Sequence, residues 1–127
     1  YPEDEGDDLY SLEQLRISKE QVEENFRKFD LLDDKVKILK GWFKDTLPVA
    51  PIEKLAIIRL DGDMYESTMD GLTNLYHKLS PGGFVIIDDY GVIPACKKAV
   101  HDFRDKQGIT EEIMNIDDSG YFWQRKA

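Results

Sequence analysis

The chain has 127 residues, 41% of them hydrophobic, which is enough for one modest globular domain with a single core. Its 17 basic and 26 acidic side chains leave a net charge of −9, which argues against binding to nucleic acid or to an anionic membrane. No apolar run approaches the roughly 20 residues of a transmembrane helix. A lone cysteine, Cys96, excludes an internal disulfide framework and fits a reducing cytoplasm.

We expect a single domain that spans residues 1–127, with residues 1–17 as an acidic loop that leads into it. Because the chain opens on Tyr1 with no initiator Met, we expect it to be a piece of a longer protein. Ser18 is predicted to cap a helix over residues 19–29, with Gln21 completing a capping box. A short strand over residues 36–39 should follow.

Two apolar strands with a helix between them are predicted at the centre of the chain. Residues 55–60 are nearly continuously apolar, which is typical of a strand buried on both faces, and residues 84–87 predict a second one. Ser67 is predicted to cap the intervening helix, and Pro81-Gly82-Gly83 to end it. The apolar face of this helix comprises Met69, Leu72, Leu75, Tyr76 and Leu79.

The last third of the chain predicts one helix and a closing pair of strands. Pro94 is expected to open a helix that ends near Gly108. Residues 111–116 and 121–125 should pair around a turn at residues 117–120. Strands joined by single helices indicate an α/β fold with a mostly parallel sheet, to which the final pair adds an antiparallel edge.

Four aspartates follow the two apolar strands. Asp61 and Asp63 come after the first strand, and Asp88 and Asp89 after the second. If the strands are neighbours, these carboxylates converge at one edge of the sheet, where their repulsion calls for a cation. Oxygen ligands favour Mg²⁺, whereas the scarcity of Cys and His argues against zinc. The alternative for any one of these aspartates is a helix cap or a turn.

Other residues have two interpretations or a plain structural one. Trp42 and Phe43 either pack against a flat ligand such as a purine or cover the edge of the sheet. Tyr65 and Glu66 either face a substrate or begin a helix. Structural or surface positions are expected for Asp70, His77, Cys96, His101, Asp117 and Asp118.

Three segments resemble the macrocin O-methyltransferase family, and the resemblance runs through nearly the whole chain. They are Gly41-Trp42-Phe43-Lys44-Asp45-Thr46-Leu47-Pro48, Leu60-Asp61-Gly62-Asp63-Met64-Tyr65-Glu66-Ser67-Thr68 and Asp88-Asp89-Tyr90-Gly91. The run from Asp61 to Thr68 is the most specific. The resemblance implies the Rossmann-like fold of class I methyltransferases, which use S-adenosylmethionine. It also implies Mg²⁺ and a small-molecule acceptor, namely a hydroxyl of a sugar or a glycosylated natural product.

The resemblance also assigns roles to individual residues. It implies that Asp61, Asp88 and Asp89 bind the metal, and that Asp61 or Asp63 is the catalytic base that accepts the hydroxyl proton. Trp42, Phe43 and Asp61 would bind the cofactor. The glycine-rich turn that holds the cofactor in such enzymes does not occur in this sequence. We therefore expect the chain to be the C-terminal part of the fold, with an incomplete cofactor site, and to be inactive alone.

Two other classes of function compete with this interpretation. The run from Ile58 to Asp63 also resembles the nucleophile strand of haloacid-dehalogenase-type phosphatases, in which Asp61 would be the nucleophile and Asp63 the general acid. Asp88 and Asp89 would then hold Mg²⁺, but Lys78 is a weak candidate for the lysine that such enzymes need. The third alternative is a truncated, non-catalytic α/β module that forms a homo-oligomer through an apolar strand edge.

Overall fold

The computed structural model describes residues 1–6, 8, 11–12 and 16–126. The chain divides into two compact units, one of Tyr1–Glu5 with Phe43–Ala127 and one of Gly6–Trp42. Part of the acidic lead-in predicted over residues 1–17 (residues 7, 9, 10 and 13–15) lies outside the described residues.

The smaller unit contains one helix, α1 (Lys19–Lys28). The Ser18 side chain accepts a hydrogen bond from the backbone N–H of Gln21 at 3.1 Å, which confirms the predicted cap. The strand predicted over residues 36–39 is wrong, because these residues form no strand. A strand needs a hydrogen-bonded neighbour, and none of the strands in the described part of the chain pairs with this segment.

The larger unit alternates helices and strands. In chain order these are α2 (Phe43–Thr46), β1 (Leu55–Leu60), α3 (Tyr65–Leu75), β2 (Leu79–Ile87), α4 (Pro94–Gln107), β3 (Met114–Asn115) and β4 (Tyr121–Gln124). The strand order is β1-β2-β4-β3; β1 and β2 are parallel, whereas the pairings of β4 with β2 and β3 are antiparallel. The α/β fold and the antiparallel C-terminal edge are thus confirmed. With one parallel pairing of three, the sheet of the described residues is mixed rather than mostly parallel.

The core lies on one face of this sheet. It joins alternate strand residues to the apolar faces of α3 and α4 and comprises Ile58, Leu60, Leu72, Leu79, Val85, Ile87, Tyr90, Cys96, Val100, Phe103 and Trp123. The prediction of strands buried on both faces is wrong, since Ile57 is 57% exposed and Phe84 is 36% exposed. These two residues are register partners on the opposite face, where successive side chains of a strand alternate.

Two predicted boundaries around α3 also differ from the structure. Ser67 is not the cap, because α3 already begins at Tyr65. Pro81-Gly82-Gly83 lies within β2, after a 3-10 turn that follows α3. Close packing explains the glycine at position 83, because a Cβ there would lie 2.7 Å from the Ala56 carbonyl oxygen of the neighbouring strand.

The start and end of α4 are confirmed. Pro94 occupies its first turn, and Gly108 ends it in the left-handed conformation with φ of 65°. The closing hairpin is confirmed as well, with strands shorter than predicted. Among the described residues, no helix combines the length and apolar character that crossing a membrane requires.

Candidate metal and active site

The candidate site lies where the two parallel strands end. Leu60 and Ile87 are partners in the register of β1 and β2, and the backbone N–H of Asp88 donates to the Leu60 carbonyl at 2.9 Å. This pairing confirms that the strands are neighbours. It brings the loops that carry the four predicted aspartates to the same edge of the sheet, where α/β folds bind ligands.

Three of these aspartates form a cluster. Asp61, Asp63 and Asp89 can each place a carboxylate oxygen within 4.8 Å of the other two. Asp61 is exposed, whereas Asp63 and Asp89 are half-buried. The backbone N–H of Asp63 donates to Oδ2 of Asp89 at 3.4 Å, so a direct hydrogen bond links the two loops.

A tight turn holds Asp63 in this cluster. Asp63 has a left-handed backbone with φ of 58°, and the Met64 N–H donates to the Gly62 carbonyl at 2.6 Å. A Cβ on Gly62 would lie 2.9 Å from the Cβ of Ser67 and 3.3 Å from the Phe43 ring. A larger residue at position 62 would therefore push the turn away from α3, and aspartate is among the few residues that tolerate the conformation seen at position 63.

The electrostatics of the cluster show an unbalanced negative charge. Burial, and next the charge of Asp63, raise the pKa of Asp89 to about 6 from its usual value of 3.8. Carboxylates this close repel each other, and a cation among their oxygens would relieve the repulsion. The arrangement is thus chemically suited to a hard divalent cation.

Asp88 lies outside this cluster and pairs with Arg59 of β1. The Arg59 Nε is 3.1 Å from Oδ1 of Asp88, and its Nη2 is 2.8 Å from Oδ2 of Asp88 and 3.3 Å from Oδ2 of Asp61. The hydrogen bond that Arg59 donates to Asp88 raises the pKa of Arg59. Sequence reasoning gave Arg59 no role of its own, although a charged residue inside an apolar strand was the available signal.

A second missed residue holds the start of α3. Oδ1 of Asp4 accepts the Tyr65 N–H at 2.6 Å and Oδ2 accepts the Glu66 N–H at 2.9 Å, which supplies the cap that Met64 does not provide. The Tyr65 hydroxyl donates to Asp102 at 2.8 Å, and burial raises its pKa to about 12. Tyr65 therefore begins the helix, as one of its two interpretations predicted.

The predicted aromatic residues lie in different units. Phe43 begins α2 beside Gly62 and is 39% exposed, and Trp42 in the smaller unit is 75% exposed. Their part in cofactor binding stays a prediction.

The remaining residues are placed largely as expected. His77 and His101 are exposed, Cys96 is buried, and Asp117 accepts the Gly120 N–H in the hairpin turn. Asp70 differs from its expected solvated position, because it is half-buried and burial raises its pKa.

Comparison with known proteins places this geometry in a family. Residues 1–125 match the family model described as Macrocin-O-methyltransferase (TylF). The chain is 58% identical over 111 residues to demethyldecarbamoylnovobiocin O-methyltransferase of Streptomyces niveus, covering 87% of this chain and 42% of that protein. It is 57% identical over 113 residues to mycinamicin III 3''-O-methyltransferase of Micromonospora griseorubida, covering 89% of this chain and 44% of that protein.

A solved structure agrees with the sequence relatives. The structure of the O-methyltransferase NovP superimposes with a TM-score of 0.86 at 57% identity, covering 87% of this chain and 46% of that one. The chain thus spans less than half the length of the curated relatives it matches. Of the families that the sequence resembles, the comparisons match the macrocin O-methyltransferase family. The chain belongs to the macrocin O-methyltransferase family.

Proposed function

We propose that this chain carries the metal-binding and acid–base part of an S-adenosylmethionine-dependent O-methyltransferase with a Rossmann-like class I fold. The acceptor would be a hydroxyl of a sugar or a glycosylated natural product. The observation that carries the proposal is the meeting of Asp61, Asp63 and Asp89 at the ends of two adjacent parallel strands, in a chain of this family.

Mg²⁺ is the cation that the donor set favours. All three clustered groups offer carboxylate oxygens, and the described cluster contains no sulfur or nitrogen ligand. Both the clustering of the carboxylates and the family resemblance support Asp61 and Asp89 as ligands. The third carboxylate would be Asp63 by geometry and Asp88 by resemblance.

The same carboxylates supply the proton chemistry. When bound, S-adenosylmethionine would supply an electrophilic methyl group, and Mg²⁺ would supply positive charge that acidifies the acceptor hydroxyl. Asp61 or Asp63 would accept the proton of the acceptor hydroxyl, and the methyl group that the cofactor supplies would take the place of that proton on the oxygen. The tight turn at Gly62 keeps both candidate bases on the strand end that also presents the metal ligands.

The acceptor class rests on the relatives. One is named for demethyldecarbamoylnovobiocin and another for mycinamicin III, and both names specify O-methylation. Trp42 and Phe43 would pack against the adenine ring of the cofactor, as flat aromatic surfaces can. The enzyme whose metal-binding and acid–base part this chain carries would methylate an acceptor of the same chemical type.

The test is calorimetric titration of the purified 127-residue chain with Mg²⁺. We expect saturable binding that Asp61→Asn and Asp89→Asn each weaken at least about tenfold, because removing one charged ligand from a small carboxylate site removes about 1.4 kcal/mol or more. Asp45→Asn, on α2, is the matched control and should bind as the unmodified chain does. Absence of Mg²⁺ binding, or equal losses in all three variants, would refute the metal site.

A further inference from the structure

Arg59 connects the ends of β1 and β2 through the carboxylates themselves. Its Nε and Nη2 contact the two oxygens of Asp88 at 3.1 and 2.8 Å, a two-pronged pair that holds the whole carboxylate. The same Nη2 reaches Oδ2 of Asp61 at 3.3 Å. One guanidinium therefore engages two of the three residues that the family resemblance assigns to the metal.

We propose that Arg59 is a positioning residue that competes with the divalent cation for Asp88 and Asp61. This inference rests on the proposed function, because it concerns the affinity of the same site. Arg59 determines whether Asp88 joins the cluster of Asp61, Asp63 and Asp89. By holding Asp88, Arg59 lowers the affinity of the site for Mg²⁺.

The geometry gives the direction of the effect. Both oxygens of Asp88 are taken by Arg59, so Asp88 must release at least one contact before it can ligate a cation. The side chains of Arg59, Asp61 and Asp88 are 56%, 54% and 36% exposed. Ion pairs this exposed are weak, so the pair can be exchanged for a cation, yet it still opposes binding of the cation.

Charge acts in the same direction as geometry. Arg59 places one positive charge beside two carboxylates, which reduces their attraction for a second cation. Lysine at this position would keep the charge but not the rigid fork that holds both oxygens of Asp88. The two contributions can therefore be separated by comparing Arg59→Lys with Arg59→Gln.

The experiment measures Mg²⁺ affinity by calorimetry on the 127-residue chain and its variants. We expect Arg59→Gln to tighten binding about three- to tenfold, the equivalent of losing one competing exposed pair or two. Arg59→Lys should raise the affinity for Mg²⁺ less than Arg59→Gln does. The control Lys98→Gln removes one positive charge from a pair with Asp102 on α4 and should change affinity less than about twofold.

A double-mutant comparison tests whether the effect passes through Asp88. In an Asp88→Asn background, Arg59→Gln should raise the affinity for Mg²⁺ at most about twofold. Position 88 then carries no carboxylate that Arg59 could withhold from the cation. Urea unfolding of each variant checks folding, and a merely structural role for Arg59 would move the unfolding midpoint and leave the affinity unchanged.

The outcomes separate the two proposals. An unmodified chain that does not bind Mg²⁺ refutes the proposed metal site, and the role of Arg59 with it. An unmodified chain that binds Mg²⁺ while Arg59→Gln binds equally or more weakly refutes only the competition. A gain that persists in the Asp88→Asn background refutes the route through Asp88.

Discussion

Replacing Asp4 by alanine should destabilise the larger unit, because it removes the cap of α3 from a position 61 residues away in the sequence. The Asp4 carboxylate accepts the N–H groups of Tyr65 and Glu66 at 2.6 and 2.9 Å, and Met64 offers no side-chain cap in its place. Loss of an N-cap costs about 1 kcal/mol, and a charge at the helix N-terminus adds about 0.5 kcal/mol. We expect Asp4→Ala to lower the free energy of unfolding by about 1.5 kcal/mol in total. Asp4→Asn should lose about half as much, since its amide oxygen still accepts one bond.

The assay uses Trp123, which is fully buried in the larger unit, as a local fluorescence probe of urea unfolding. A Trp42→Phe background removes the other tryptophan, which is 75% exposed, so that the signal reports this unit alone. Glu5→Ala removes an exposed neighbouring carboxylate and should stay within about 0.5 kcal/mol of the parent. Equal free energies of unfolding for Asp4→Ala and Glu5→Ala would show that the cap does not form.

Three further predictions concern other parts of the chain. Burial raises the pKa of the Cys96 thiol to about 11 from 9.0, so the thiol should react with a disulfide reagent at pH 8 only in urea. As the pH rises from 9 to 11, the thiol loses its proton more readily in the unfolded chain than in the folded one. The free energy of unfolding should therefore fall over this range, and Cys96→Ala should not show this fall. Gly71→Ala should lower the unfolding free energy by about 1–3 kcal/mol despite the better helix propensity of alanine, because the new Cβ would lie 2.7 Å from Leu60 Cδ2, and thermal denaturation would measure this. Calorimetry should detect no tight S-adenosylmethionine binding to this chain, since its sequence has no glycine-rich turn to hold the cofactor; a tight complex would contradict the predicted incomplete cofactor site.

Sequence patterns predicted the features that depend on neighbours in the chain. Ser18 and Gln21 are three residues apart, and Pro94 and Gly108 mark the ends of α4 by their own backbone preferences. The hairpin turn at Asp117 depends on residues two and three positions away. Such local signals are complete within a short stretch of sequence, and the structure follows them.

Features that depend on distant partners were missed or wrong. The apolar run over residues 55–60 was taken as buried on both faces, but periodicity alone does not show what covers a strand, and Ile57 lies exposed. Ser67 was predicted as the cap of α3 because its residue type favours caps and it lies next to the helix in sequence. The helix is instead capped by Asp4, which is 61 residues before Tyr65. Local spacing could not prevent either error, because the contact that caps α3 spans 61 residues and the covering of a strand face depends on residues elsewhere in the chain.

The candidate site combines both kinds of information. The sequence predicted which strand ends would meet, from the motif around Asp61 and Asp63 and from the pair Asp88 and Asp89. The register of β1 and β2 brings these two strand ends together. The motif did not predict how the four carboxylates would divide. Three cluster, and the fourth joins Arg59, a residue two positions before Asp61 on the same strand. Four carboxylates lie near one guanidinium, so the negative charge is much denser here than the net −9 spread over the whole chain. This local imbalance favours a bound cation, and the position of Arg59 within it means that the affinity for that cation depends on a residue outside the carboxylate motif.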